Sequence, residues 1–316
     1  MTILLILFGI LLLIAAIGYF CFRTAMVRYQ GVSARNYQKG RDKINKRVMS
    51  AFIDQMQEGT AWFKSHLSDA EEITLTSYDG LQLKATFLPN PGSDKTIILM
   101  HGYRSSAAFD YSVAFRWFYE MGFNLLVAYQ RSHGKSEGRY ICYGAKERFD
   151  CQGWANYIAD RFGPDHRIVL DGISMGASTV LMASGLDLPP NVTCVMADSG
   201  FTSAWDEIGH VIRHDYHLPA LPFQHLINLY AKLFAKMDLR EASTIKAMET
   251  NRLPILLLHG EADFFVPCEM TRRTYEACRT DKCMLTVPGA DHGMSLLIDP
   301  EGVIRLTDEF LAKYCP

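Results

Sequence analysis

At 316 residues the chain is long enough for one large α/β domain or two small ones, and either would bury a substantial core. Hydrophobic residues at 49% and charged residues at 21% are ordinary for a globular protein, and a net charge of −2 gives no reason to expect nucleic acid as a partner. The eight cysteines (Cys21, Cys142, Cys151, Cys194, Cys268, Cys278, Cys283, Cys315) form no C-x-x-C pair and no zinc-ligand spacing, so they read as free thiols rather than a disulfide scaffold.

The chain opens with an uncharged run from Ile3 to Phe22, mostly Leu and Ile. As a helix it would be about 30 Å long, the thickness of a bilayer core. No Lys or Arg precedes the run and no A-x-A site follows it, which favours a retained anchor over a cleaved signal peptide. Arg23, Arg28, Arg35, Lys39, Arg41, Lys43, Lys46 and Arg47 follow, against Asp42 alone. The positive-inside rule then places the following domain on the cytoplasmic face of a cell membrane crossed once, and the same basic stretch suits anionic headgroups. The division expected is 1–24 as transmembrane anchor, 25–68 as basic helical connector and 69–316 as the globular domain.

From 43 to 66 the spacing of Ile44, Val48, Phe52, Met56 and Trp62 predicts a helix with a buried stripe. The period then changes. Residues 73–77 and 81–87 alternate apolar and polar around Asp79-Gly80, which predicts a β-hairpin. Solid apolar runs follow at 96–100, 123–128, 167–170, 192–197, 254–258 and 283–287, separated by helical stretches at 107–121, 145–162, 175–185, 268–279 and 301–314. Continuous apolar strands alternating with helices imply an α/β fold, a mostly parallel sheet flanked by helices.

Between Leu170 and the helix that starts at 175 stands Gly172-Ile173-Ser174-Met175-Gly176. A G-x-S-x-G between strand and helix is the sequence form of a nucleophile elbow, a turn so sharp that the positions two before and two after the serine must be nearly free of side chain. A serine nucleophile needs a base for its proton and an acid to orient that base, in the chain order serine, acid, histidine. Of ten histidines only His292 lies beyond residue 259, in a loop directly after the last strand. The acid belongs just past the preceding strand, where His259-Gly260-Glu261-Ala262-Asp263 points to Asp263, with Glu261 and Asp198 as alternatives. The oxyanion hole needs two backbone N–H groups. Met175, after the nucleophile, supplies one; the strand ending at Met100-His101-Gly102 points to Tyr103 for the other. The His101 side chain, standing before the nucleophile in the chain, reads as structural.

These motifs, with Arg131-Ser132-His133-Gly134-Lys135-Ser136-Glu137-Gly138, resemble the α/β-hydrolase superfamily over about 70–316, and more narrowly its BEM46-like and serine aminopeptidase-like branch. By that resemblance Ser174, Asp263 and His292 match the triad positions, and Tyr103 and Met175 the oxyanion hole. One departure is Tyr129, where relatives commonly carry Asp; it bears on the local loop rather than the triad. The fifty-odd residues after Asp198 exceed a simple crossover, and the apolar helix around Leu226, Ile227, Leu229, Tyr230, Leu233 and Phe234 suggests a small helical cap over the site at about 201–253. His210, His214 and His217 share a helix face, but without the glutamate of H-E-x-x-H they read as a packed or solvated face. The expected function is a serine hydrolase forming an acyl-enzyme from a carboxylic ester or thioester with an apolar acyl group. An amidase or peptidase, and a non-catalytic binding protein on the same fold, are the alternatives. No cofactor and no metal is implied.

Overall fold

The apolar runs resolve into one eight-stranded sheet. The computed structural model describes residues 2–29 and 52–316. The basic residues from Arg35 to Arg47, with Ile44 and Val48, lie outside the described residues.

In chain order the elements are α1 (Thr2–Met26), α2 (Ile53–Ser65), β1 (Glu71–Thr76), β2 (Gln82–Leu88), β3 (Lys95–Met100), β4 (Asn124–Tyr129), α3 (Glu147–Phe162), β5 (Arg167–Ile173), α4 (Met175–Ala183), β6 (Val192–Asp198), α5 (Ala204–His214), α6 (Ala220–Tyr230), β7 (Ile255–Gly260), α7 (Cys268–Ala277), β8 (Lys282–Val287) and α8 (Pro300–Tyr314). The strand order is β1-β2-β4-β3-β5-β6-β7-β8, with β3 to β8 parallel. β2 pairs antiparallel with both β1 and β4, so it alone runs against the others. The reason lies in the side chains. Ile97, Ile98, Leu99 and Met100 of β3 are all fully buried, as a strand covered on both faces requires. β1 lies at the edge and buries Ile73 alone.

Two apolar layers cover the sheet. On one face Trp154, Ile158 and Val180 of α3 and α4 pack on Ile98, Leu126 and Leu170. On the other, Phe115, Phe118, Phe310 and Leu311 pack on Leu99, Val127 and Val169. The helix expected over 107–121 is broken into Ala107–Asp110 and Phe115–Glu120. Tyr111 turns inward at the break and donates to Met100 O. Gly59 of α2 comes so close to the Ser112 carbonyl that a Cβ there would sit 1.7 Å from the oxygen. In α2 the buried residue is Phe63, stacked on Phe115 with centroids 4.2 Å apart, rather than Phe52, Met56 or Trp62, which are half-buried.

α1 is long and apolar enough to cross a membrane. It runs past the expected boundary at 24, and its end is part of the fold: Phe22 and Met26 are buried with Ile208, Ile227 and Phe201. Burying two such side chains stabilises by about 3–6 kcal/mol as an upper bound. The insertion between β6 and β7 is helical, as expected, but its apolar helix α6 packs along α1 instead of over the serine.

Candidate active site

The elbow forms as the sequence requires. Ser174 sits between β5 and α4 at φ 59°, ψ −118°, a backbone position normally left to glycine. A Cβ on Gly172 would lie 2.2 Å from Gly176 O, and one on Gly176 would lie 1.8 Å from Met100 O. Neither position admits a side chain, which is why both are glycine. The Ser174 N–H donates to Asp198 O at 2.8 Å, tying the turn to the end of β6.

The loops after β7 and β8 bring Asp263 and His292 to this serine. His292 Nε2 stands 2.8 Å from Ser174 Oγ, and His292 Nδ1 stands 2.7 Å from Asp263 Oδ2. Since the carboxylate only accepts, Nδ1 carries the proton and Nε2 faces the hydroxyl as acceptor. Asp263 Oδ1 accepts from the Phe265 and Val266 N–H groups at 3.0 and 2.8 Å, which fixes the plane of the carboxylate. Burial would raise the Asp263 carboxyl, but His292 beside it and the hydrogen bond from His259 hold it well below the usual carboxylate range. Burial disfavours the charged imidazole of His292, yet the Asp263 carboxylate outweighs that and pushes the ring above its ordinary 6.5.

The other acids are engaged elsewhere. Glu261 accepts from Thr286 Oγ1 at 2.7 Å and pairs with Arg272. Asp198 accepts from Ser199 and Ser295 hydroxyls at 3.0 and 2.9 Å. Asp291 accepts from the His292 backbone N–H, not its ring.

Met175 opens α4, where the first N–H groups of a helix have no partner within it. Gly102 is pressed against the nucleophile, so that a Cβ there would lie 3.2 Å from Ser174 Cβ, and its N–H donates to Asp110 Oδ2 at 2.7 Å. This holds the loop that carries Tyr103. The Arg131–Gly138 motif braces the same loop: His133 Nε2 accepts from the Arg104 N–H at 2.9 Å, and Nδ1 faces Arg131 O at 2.9 Å. Burial, with His101 nearby, keeps the His133 ring neutral, as an accepting Nε2 requires. Tyr129 packs its ring over Gly134, where a Cβ would meet it at 2.4 Å. His101 is fully buried with Nδ1 against Gly102 O and Nε2 accepting from Gln130 N–H, a bracing role.

A cavity of about 830 Å³ adjoins Ser174 and His292, lined by Phe109, Trp117, Phe118, Met196, Leu256 and Leu296 among others. Of the 201–253 insertion only Asp215 reaches its wall. Asp110, Asp171, Asp198, Asp215, Asp291 and Tyr111 add polar groups to a mostly apolar wall. Burial and the neighbouring Asp198 push the Asp171 carboxyl up to about 8.

Two groups near the site were not foreseen. His259 Nε2 lies 3.2 Å from Asp263 Oδ2 and 2.9 Å from Val266 O, a second histidine on the acid, while its Nδ1 meets Thr271 Oγ1. Its place four residues before Asp263 is the sequence signal. Glu207 of α5 is buried, and burial lifts its carboxyl to about 8 against the opposing pull of His292. No local pattern marks it. Among the described residues no cluster of His, Cys, Asp and Glu is placed to hold a metal. His210 instead bonds the Phe264 carbonyl at 2.8 Å and stacks on His214.

An open, mostly parallel sheet with a serine at a strand-to-helix elbow defines an enzyme of the α/β-hydrolase superfamily, a hydrolase. The profile of the prolyl oligopeptidase family matches residues 139–315, more than half of the chain, and the chain belongs to that family. Uncharacterized protein YqkD of Bacillus subtilis is 25% identical over 239 residues, covering 76% of this chain and 78% of that one. The esterase Pf2001 of Pyrococcus furiosus superposes with a TM-score of 0.64 at 26% identity, over 80% of this chain and 96% of that one. Esterase LipC of Mycobacterium tuberculosis is 27% identical over 162 residues, 46% of this chain and 39% of its own.

Proposed function

We propose that this hydrolase cleaves a carboxylic ester or thioester through an acyl-enzyme on Ser174. The Ser174 hydroxyl attacks the acyl carbon as its proton passes to His292 Nε2. Asp263 holds Nδ1–H and stabilises the imidazolium, and the Tyr103 and Met175 amides receive the oxyanion. The alcohol or thiol leaves with the proton from His292, and water repeats the sequence to free the acid. The observation that carries this reading is the unbroken line Ser174 Oγ, His292 Nε2, His292 Nδ1, Asp263 Oδ2, at 2.8 and 2.7 Å. The apolar wall of the adjoining cavity suits an apolar acyl group.

A fluorophosphonate probe tests the nucleophile: wild type is expected to label and Ser174→Ala to lose labelling. Equal labelling of the two sinks the assignment. The family favours a second reading, an amidase or peptidase using the same three residues. Turnover of p-nitrophenyl esters of increasing length, an acyl-CoA and aminoacyl amides separates the two. The narrower placement in the BEM46-like, membrane-anchored branch belongs with this proposal. So does α1 as a single-pass anchor, with 25–68 as connector and 69–316 as a hydrolase domain on the cytoplasmic side. Protease protection of the domain in right-side-out cells, and its loss after lysis, checks the sidedness.

A further inference from the structure

The last carbonyls of a helix have no partner within it. In α1 the hydrolase domain supplies them. Ala25 O accepts from the hydroxyls of Tyr103 at 2.7 Å and Tyr143 at 3.0 Å. Thr24 O accepts from Arg104 Nη2 at 2.8 Å, and Met26 O from the Ile141 N–H at 2.7 Å. With Phe22 and Met26 buried at 1% and 0% exposure, the helix end is locked beside the loop that carries Tyr103.

Further toward its N-terminus, α1 is flanked by α6. Gly18 lies against Leu226 and Tyr230, and a Cβ there would come within 2.9 Å of the Tyr230 ring. The Tyr230 hydroxyl donates to Ala15 O at 2.8 Å, and the Tyr230 ring packs on Tyr19 and Phe22. α6 therefore tracks α1 from Phe22 back to Ala15, about 10 Å along its axis.

Length then decides the geometry. The unflanked part of α1, Thr2 to Ile14, rises only about 20 Å, whereas a bilayer core is about 30 Å thick. If α1 spans, its residues 15–22 lie in hydrocarbon, and the adjoining face of α6 lies at the same depth. That face is fitted for it. Leu229 of α6 and Leu233 and Phe234 of the turn after it are 51%, 53% and 46% exposed. Of the two lysines in that turn, Lys232 is paired with Asp238 at 2.7 Å and Lys236 caps its end in the open. Large apolar side chains left in water in such a patch ordinarily mark an interface. The cavity lining includes Tyr103, whose hydroxyl meets Ala25 O at the end of α1, together with Asp215 and with Phe264, which is 69% exposed.

We propose that α6 and the turn after it sit in the leaflet beside α1, so that the cavity takes its substrate, an amphiphilic ester or thioester, from the lipid phase. The chemistry rests on the hydrolase reading above; the seat of α6 does not. The test uses the full chain in phosphatidylcholine vesicles, with brominated acyl chains as quencher. Leu233→Trp and, as a depth control, Leu7→Trp are both expected to show added, blue-shifted, strongly quenched emission over the native tryptophans. Quenching at position 7 without quenching at 233 overturns the proposal, and so does quenching at neither. In the activity arm, Leu229→Glu/Leu233→Glu is expected to lower hydrolysis of a vesicle-borne long-chain ester about tenfold and to leave soluble p-nitrophenyl acetate within about twofold. Equal loss on both esters, or loss on neither, overturns the substrate claim. A wild type inert toward both would instead remove the hydrolase reading, and with it the substrate claim, while the quenching result stands on its own.

Discussion

Asp263→Asn separates charge and tautomer from shape. Asp263 Oδ1 is pinned by the Phe265 and Val266 N–H groups at 3.0 and 2.8 Å, so the asparagine keeps its oxygen there. Turning the amide over would set its NH2 against two backbone donors and cost about 1–3 kcal/mol for each one left unpaired. The new NH2 therefore faces His292 Nδ1, where an acceptor stood 2.7 Å away. A donor at that place selects the tautomer with the proton on Nε2, and that nitrogen can no longer take the Ser174 proton. A carboxylate that orients the base in this way is worth about 10⁴ in kcat, or about 5 kcal/mol of barrier. The variant is therefore expected to lose roughly that factor in kcat on p-nitrophenyl acetate, with KM little changed. The pH profile gives a second reading. Only the neutral ring accepts a proton, and the Asp263 charge raises the ring above 6.5, so wild-type kcat/KM rises with pH through a midpoint above 6.5. Without that charge the midpoint moves to lower pH. A kcat within about tenfold of wild type, with an unmoved midpoint, would refute Asp263 as the orienting acid.

Asp171 offers a stability test of the cavity. Its carboxyl is raised to about 8 in the folded state and is ordinary in the unfolded one. Its contribution to stability is thus full below the usual carboxylate range and is lost as pH rises from there to about 8. Melting curves of wild type and Asp171→Asn should converge near pH 4 and diverge toward pH 8, the variant being more stable by up to about 4 kcal/mol at pH 7. A gap that does not change with pH rejects this. Gly176→Ala tests the elbow, since the added methyl would lie 1.8 Å from Met100 O and β3 would have to move. A fall in Tm of roughly 5–10 °C, with slower probe labelling, is the expected outcome, and an unchanged Tm contradicts it.

Part of the molecule was legible because its causes are local. Period-two alternation gave the β1–β2 hairpin, and solid apolar runs gave strands that are buried on both faces. The glycines two before and two after Ser174 follow from sterics within five residues. Chain order singled out His292 as the candidate base, and the loop just past β7 pointed to Asp263 as the candidate acid, with Glu261 and Asp198 as alternatives. The broken 107–121 helix was not legible, because the contacts found at the break are tertiary: Gly59, about fifty residues earlier, meets the Ser112 carbonyl, and Tyr111 reaches Met100 O. Glu207 was missed because its carboxyl is set by tertiary burial and by His292, far along the chain, rather than by a pattern in its own helix.

The apolar helix α6 shows the division most clearly. Its composition announced that one face would be covered, but amphipathicity names no partner. The sequence by itself determined the elbow, the strand-and-helix alternation and an apolar N-terminal run. Which surfaces meet was decided by the tertiary structure. The open carbonyls at the end of α1 find their donors in Tyr103, Arg104, Ile141 and Tyr143, roughly 80 to 120 residues away. Hydrogen-bond satisfaction and burial act across such separations, and no local pattern encodes them.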